Sequence, residues 1–128
     1  MSFLLDTNVA IHLRDGNSEI IAKVVALQGA VLLSVISRVE LEGGVYRDPA
    51  QAHLRRPRLD AILDILPVLA FDDVAADAYR TIVEAAGYSR RKLLDRMIAA
   101  QALVHRATLV TMNGADFQDV PGLDLLEW

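Results

Sequence analysis

Four acids in this chain stand beside apolar runs, where an unpaired charge is costly to bury. Asp6 ends the run Phe3-Leu4-Leu5 and is followed by Thr7 and Asn8 before apolar sequence resumes at Val9-Ala10-Ile11. Glu40 comes shortly after Val31-Leu32-Leu33-Ser34, within Ile36-Ser37-Arg38-Val39-Glu40. Asp95 follows Leu93-Leu94 at the start of a long helical pattern, and Asp116 follows Thr108-Leu109-Val110-Thr111 by way of Met112-Asn113-Gly114-Ala115. Converging carboxylates repel one another, and nearby Arg or Lys offsets only part of that. A hard divalent cation offsets it better, because Mg²⁺ or Mn²⁺ accepts a few carboxylates and keeps some of its water. Such an ion activates water and steadies the oxygens of a phosphodiester during displacement. Asp6 therefore reads as a metal ligand.

Each acid also has an ordinary structural reading. Ser37 and Glu40 fit a Ser-x-x-Glu capping box. Asn113 fits the cap of a short turn that Asp116 would complete, and Asp95 suits a helix N-terminus through the macrodipole alone. Asp6 could begin an Asx-turn, with Thr7 or Asn8 capping the next helix. Caps account for the acids singly. They do not account for all four arriving at one kind of place, just past a strand or in a helix's first turns.

The elements that must position these acids follow from periodicity. Uniformly apolar runs at 2–5, 31–34, 67–71, 108–111 and 123–127 predict strands. Helical patterns cover 9–13, 18–27, 37–46, 49–63, 74–86 and 93–106, the last with Leu93, Met97, Ala100 and Val104 on one stripe. Strands without polar alternation, separated by helices, imply a parallel sheet covered on both faces. The expectation is an α/β chain forming one domain over 1–128, a three-layer α/β/α sandwich around a central parallel sheet. Ligands of such sheets gather beyond the carboxyl ends of the strands, which is where Asp6 falls.

Composition narrows the class. Of the 128 residues 53% are hydrophobic and 23% charged, a balance that excludes a disordered chain. No apolar run reaches membrane-spanning length and no secretory signal is expected, so the reading is cytoplasmic. The absence of cysteine removes disulfides and thiolate chemistry. The net charge of −4 argues against nucleic acid as a partner, but bases cluster at Arg55-Arg56-Pro57-Arg58 and at Arg90-Arg91-Lys92 with Arg96 after them. Arg90, Arg91, Lys92 and Arg96 flank Asp95 and are the candidates for phosphate contacts. With three Tyr, three Phe and one Trp and no stacking series, recognition of RNA shape is expected over base-by-base reading.

Other constellations are weaker. His12, His53 and His105 show no ligand spacing. Gly43-Gly44 reads as a helix stop or a place of close packing, and Asp72-Asp73 as a cap with a first-turn acid. Two alternatives of the same α/β class remain. One is a receiver-like signalling domain with Asp72 or Asp73 as phosphoacceptor; such a domain wants paired acids after an early strand and a lysine after a late one, whereas only Lys23 and Lys92 are present. The other is a catalytically inert interaction module whose acids are caps.

The ordered set Leu4-Leu5-Asp6-Thr7-Asn8, Ser34-x-x-Ser37-x-x-Glu40-Leu41 with Gly43-Gly44, Asp95-x-x-Ile98-Ala99-Ala100 and Thr111-x-Asn113-x-x-Asp116-Phe117 resembles PIN-domain ribonucleases, and among them the VapC-type toxins of bacterial toxin–antitoxin pairs. The resemblance implies a Mg²⁺- or Mn²⁺-dependent endoribonuclease that cuts selected structured RNA, tRNA or rRNA. It also implies inhibition by a small cognate VapB-like antitoxin, a homodimer, and a toxin–antitoxin assembly above it. By the same resemblance Asp6, Glu40, Asp95 and Asp116 match the acidic catalytic quartet, with Asp6, Asp95 and Asp116 as metal ligands. Thr7, Asn8, Thr111 and Asn113 match the supporting polar positions. Two positions depart from the pattern: Met112 stands where many relatives are basic, and Leu93-Leu94 where many carry a polar or acidic residue before the third acid. Glu42 rivals Glu40, but its spacing from Ser34 does not fit and it is expected to face solvent.

Overall fold

In the computed structural model, which describes residues 1–128, the sheet is built from β1 (Ser2–Leu5), β2 (Ala30–Ser34), β3 (Val68–Leu69), β4 (Thr108–Thr111) and β5 (Leu125–Glu127). All pairings are parallel and the spatial order is β3-β2-β1-β4-β5. The helices are α1 (Thr7–Arg14), α2 (Ser18–Val25), α3 (Val35–Arg47), α4 (Ala52–Ile65), α5 (Asp73–Ala86) and α6 (Leu93–His105), with short 3-10 turns at Pro49–Gln51 and Gly114–Phe117.

Side chains alternate across the sheet and divide the core in two. Phe3, Leu5, Leu33 and Val110 face one layer, where they meet Val9 and Ala10 of α1, Leu41 and Val45 of α3, and Leu59 and Ile62 of α4. Leu4 and Leu109 face the other, against Ile82 of α5 and Ile98, Ala99 and Ala102 of α6. Leu4 and Leu5 are both fully buried, as the apolar run predicts for a strand covered on both faces. The alanines of α6 let that helix lie close on the sheet without displacing the strand side chains.

Several boundaries differ from expectation, each for a local reason. α1 begins two residues early because Asp6 supplies its cap, and α3 begins at Val35 because the Ser34 hydroxyl accepts from Ile36 N at 3.0 Å. The stretch 49–63 divides into a 3-10 turn, capped by Asp48, and the helix proper. β3 shortens to two residues, with the Pro67 carbonyl still accepting from Leu33 N at 2.9 Å. β5 begins two residues late, at Leu125. α6 stops at His105 because Arg106 turns left-handed, φ 52°.

Candidate active site

The strand order reverses direction at β1: β2 and β3 lie on one side of it, β4 and β5 on the other. The chain leaves the carboxyl ends of β1 and β4 in opposite directions, opening a crevice between them. Asp6 stands at that point. Its backbone N donates to Val110 O at 2.8 Å, its Oδ1 accepts from Thr7 N at 2.8 Å, and its Oδ2 accepts from Thr111 Oγ1 at 2.9 Å. Asp6 is 4% exposed, so its carboxylate is fixed from two sides while each oxygen keeps further lone-pair capacity. The cap of α1 is thus Asp6 itself, not Thr7 or Asn8. Capping does not exclude metal ligation, since it uses only one lone pair.

Glu40 arrives from α3 by a contact the sequence did not reveal. Thr7 Oγ1 donates to Glu40 Oε1 at 2.9 Å and lies 2.8 Å from Ser37 Oγ. Ser37 is buried inside α3 and forms no capping box with Glu40, because Ser34, three residues earlier, already caps the helix. Glu40 would otherwise be an exposed glutamate free to turn into solvent; the Thr7 hydroxyl holds it at the mouth of the crevice. Glu42 points away and takes a 2.8 Å bond from Arg56 Nη2, which pulls its carboxyl below the usual range.

Asp95 lies half-buried in the first turn of α6. Its carboxyl is pushed up to about 6, first by burial and then by the charges of Asp6, Asp116 and Glu40, against a smaller opposing pull from Arg91. Burial raises Asp6 as well; the bonds from Thr111 and Thr7 work against that rise, and the charge of Asp116 adds to it. Asp95 therefore feels the other three acids, which brings the quartet into one electrostatic neighbourhood.

Asp116 is carried by the 3-10 turn after β4. Thr111 Oγ1 accepts from Asn113 N at 3.0 Å while donating to Asp6, and Asp116 N donates to Asn113 O at 3.0 Å. Asn113 stands at the cap position, but its side chain makes no capping bond and is exposed, as is that of Asn8. A residue that sequence reasoning passed over secures this turn: Glu127, on β5, accepts from Gly114 N at 2.8 Å. A Cβ at Gly114 would lie 2.8 Å from that carboxylate, so the glycine is what allows the approach. No sequence pattern announces the contact, because it joins the 3-10 turn after β4 to β5, which come together only through strand pairing.

Asp6, Glu40 and Asp95 border a cleft of about 530 Å³ whose lining also includes Thr7, Asn8, Arg90 and Arg91; Asp116 stands outside that lining and reaches the site through its charge on Asp6 and Asp95. No three of the carboxylates close on one point as a finished ligand set. The donors are nevertheless hard oxygens in mutual repulsion at a solvent-open cleft. That composition fits a cation which takes few protein ligands and keeps water, as Mg²⁺ and Mn²⁺ do.

The four candidate bases divide. Arg90 and Arg91 line the cleft. Arg96 does not: its side chain is 3% exposed and its Nη2 donates to Asp119 at 3.0 Å, while Nη1 donates to the Gly87 carbonyl. Helical rotation turns it inward, so it is removed from the phosphate-facing set. Lys92 also pairs with Asp119, at 3.2 Å. Burial would raise the Asp119 carboxyl, but the bonds from Lys92 and Arg96 outweigh it and bring it down. Together these residues fasten the 87–92 loop that presents Arg90 and Arg91. Asp72, the receiver-like candidate, caps α5 by accepting from Ala75 N at 2.9 Å.

Comparison with known proteins gives concordant matches. The PIN domain family model matches residues 3–123. Ribonuclease VapC2 of Rickettsia felis is 29% identical over 138 aligned positions, covering 100% of this chain and 98% of the relative. The crystal structure of VapBC2 from Rickettsia felis bound to a promoter DNA fragment superposes with a TM-score of 0.85 at 26% identity, covering 100% of this chain and 99% of that one. FitAcB from Neisseria gonorrhoeae superposes with a TM-score of 0.83 at 28% identity, covering 98% of this chain and 96% of that one.

Proposed function

The chain belongs to the PIN-domain family, and from that premise we propose that it is a VapC-type toxin: a Mg²⁺- or Mn²⁺-dependent endoribonuclease that hydrolyses selected phosphodiester bonds in structured RNA, tRNA or rRNA, and is restrained by a cognate VapB-like antitoxin. The observation that carries the reading is geometric: Asp6, Glu40 and Asp95, delivered by three separate elements, line one cleft together with Arg90 and Arg91. Burial and the neighbouring acids raise the Asp95 carboxyl there, in keeping with that convergence.

Asp6, Asp95 and Asp116 would hold the ion. When bound, the ion lowers the pKa of water and stabilises charge developing on phosphodiester oxygens. The protein's own groups do the rest. Thr111 and the Thr7 backbone orient Asp6, while Asn8 offers an exposed amide in the cleft lining and Asn113 an exposed amide on the turn that carries Asp116. Glu40, steered by Thr7, takes up the proton of the attacking water. Arg90 and Arg91 compensate the phosphate charge that an acidic cleft would repel.

Two apolar surfaces suit the proposed partners. A groove between α2 and α4, with Ile21, Val25 and Ile65 exposed along it, fits an apolar antitoxin segment. Val39 and Tyr46, 66% and 62% exposed and seven residues apart on α3, offer a face for a second copy. No helix is long and apolar enough to cross a membrane, and we assign the protein to the cytoplasm, where its RNA is. Mapping the ends of RNA cut by the purified protein, with Mg²⁺ or Mn²⁺ and with chelator, tests the proposal. Discrete metal-dependent ends in a tRNA or rRNA are expected. Intact RNA under every condition would overturn it.

A further inference from the structure

A second cavity, of about 670 Å³, lies next to the acidic cleft and takes no part in the chemistry above. Ile11 and Glu40 line both, so the two form one continuous floor across α1 and α3. The second cavity's lining brings in three arginines, Arg14, Arg47 and Arg55, alongside the acids Asp15, Asp48 and Glu40.

Arg14 is the telling residue. It is 4% exposed, and its Nε and Nη2 donate to Asp15 Oδ1 at 3.1 and 3.0 Å. Its Nη1 donates to no group in the protein, yet that nitrogen is not sealed from solvent. It opens toward the cavity. A Cβ at Gly44 would lie 2.9 Å from this Nη1, so the guanidinium in its present place would have to shift to admit any larger residue there. That gives Gly44, a helix-weakening choice in the middle of α3, a specific reason, whereas a Cβ at Gly43 would meet nothing within 4 Å.

The other two arginines also have donors to spare. Arg55 gives Nη1 to the Gly44 carbonyl at 2.8 Å and keeps its remaining N–H groups. Arg47 is exposed and makes no ion pair. Three carboxylates line the same cavity, but each is already engaged: Asp15 by Arg14, Asp48 as a cap accepting from Ala50 N at 3.1 Å, and Glu40 by Thr7. What the cavity offers a ligand is therefore forked N–H donors, the geometry that matches a phosphate group.

We propose that this cavity is a backbone-phosphate subsite, which takes a phosphate flanking the scissile one and sets where a bound RNA strand lies across the acids. The proposal rests on the nuclease reading of the adjoining cleft. A polyanion that reaches Asp6 and Glu40 must leave the cleft along some path, and the shared floor leads to the only wall beyond Glu40 lined by three arginines.

The test uses Arg47→Gln and Arg55→Gln, singly and together, with Gly44→Ala to crowd Arg14 without removing it; thermal melts confirm that each variant is folded. Binding of a single-stranded oligoribonucleotide is measured over a salt series, and cleavage is measured beside it. Each lost phosphate contact should flatten the salt slope by about 0.7. KM should rise several-fold while kcat stays within about twofold. An unchanged slope in the double variant overturns the subsite, and if antitoxin binding weakens instead, the cavity belongs to the protein partner. The slope is read from binding alone. A protein that binds RNA with the expected slope change but cuts none contradicts the nuclease reading and leaves the subsite standing.

Discussion

Ser37 Oγ lies 2.8 Å from Thr7 Oγ1, and Thr7 gives its one hydroxyl proton to Glu40 Oε1 at 2.9 Å. Because Glu40 as a carboxylate only accepts, the direction of the chain is fixed: Ser37 donates to Thr7, and Thr7 donates to Glu40. A fully buried serine thus acts on an exposed glutamate through a hydroxyl thirty residues away in sequence.

Removing the first link should therefore cost less than removing the second, and the two losses should not add. Ser37→Ala should lower kcat by about fivefold, the equivalent of one hydrogen bond of about 1 kcal/mol, with KM unchanged. Thr7→Val should cost more, and the double variant should be no worse than Thr7→Val alone. Additive losses measured in a double-mutant cycle would show that Ser37 acts separately from Glu40.

The Asp95 carboxyl, raised to about 6 chiefly by burial, predicts an inverted pH dependence in metal-free protein. Its folded pKa exceeds the unfolded value, so the folded state binds more protons in between. Stability from this group is present below the unfolded pKa near 4 and falls as pH rises to about 6. In chelator, Asp95→Asn should melt above the wild type at pH 7.5, with the gap narrowing at pH 5. Stabilisation by added Mg²⁺ or Mn²⁺ should weaken below pH 6, where protons compete for the ligand. A gap that widens as pH falls would contradict the assignment.

Asp119 joins Lys92 and Arg96 beneath the loop that presents Arg90 and Arg91. Asp119→Asn should lower the melting temperature, by about 1–2 kcal/mol of stability, because it leaves the buried Arg96 without a counter-charge at a site where water still screens the acid. Arg90→Gln with Arg91→Gln should leave the melt unchanged and weaken RNA binding at low salt. If the paired arginine variant destabilises the fold while RNA binding persists, those two residues are structural.

The sheet and its two helical layers were legible because a strand buried on both faces cannot hide its composition: Phe3-Leu4-Leu5 and Leu109-Val110 admit no other partner than a covered core. The helix starts were less legible. Ser34 and Ser37 both precede helical sequence, and only the Thr7 contact, made between α1 and α3 in one layer, assigns Ser37 to the site and leaves the cap to Ser34. Arg96 looked continuous with Arg90-Arg91-Lys92 because sequence proximity does not show which way a helix turns a side chain, and its partner Asp119 lies beyond β4. Glu127 and the Arg14–Gly44 passage depend on close approach between distant elements, which no local pattern carries.

The most direct measurement is a pair of thermal melts of Asp6→Asn, without and with Mg²⁺ or Mn²⁺, run beside an RNA cleavage assay. Asn caps a helix as well as Asp does, so the bond from Thr7 N survives the change. Burial already disfavours the charge at Asp6, so the metal-free variant should be as stable as the wild type or more so. Added metal should raise the wild-type melting temperature by mass action and do much less for the variant, while cleavage falls by orders of magnitude. A variant that melts lower without metal, keeps the full metal response and still cuts RNA would contradict the account.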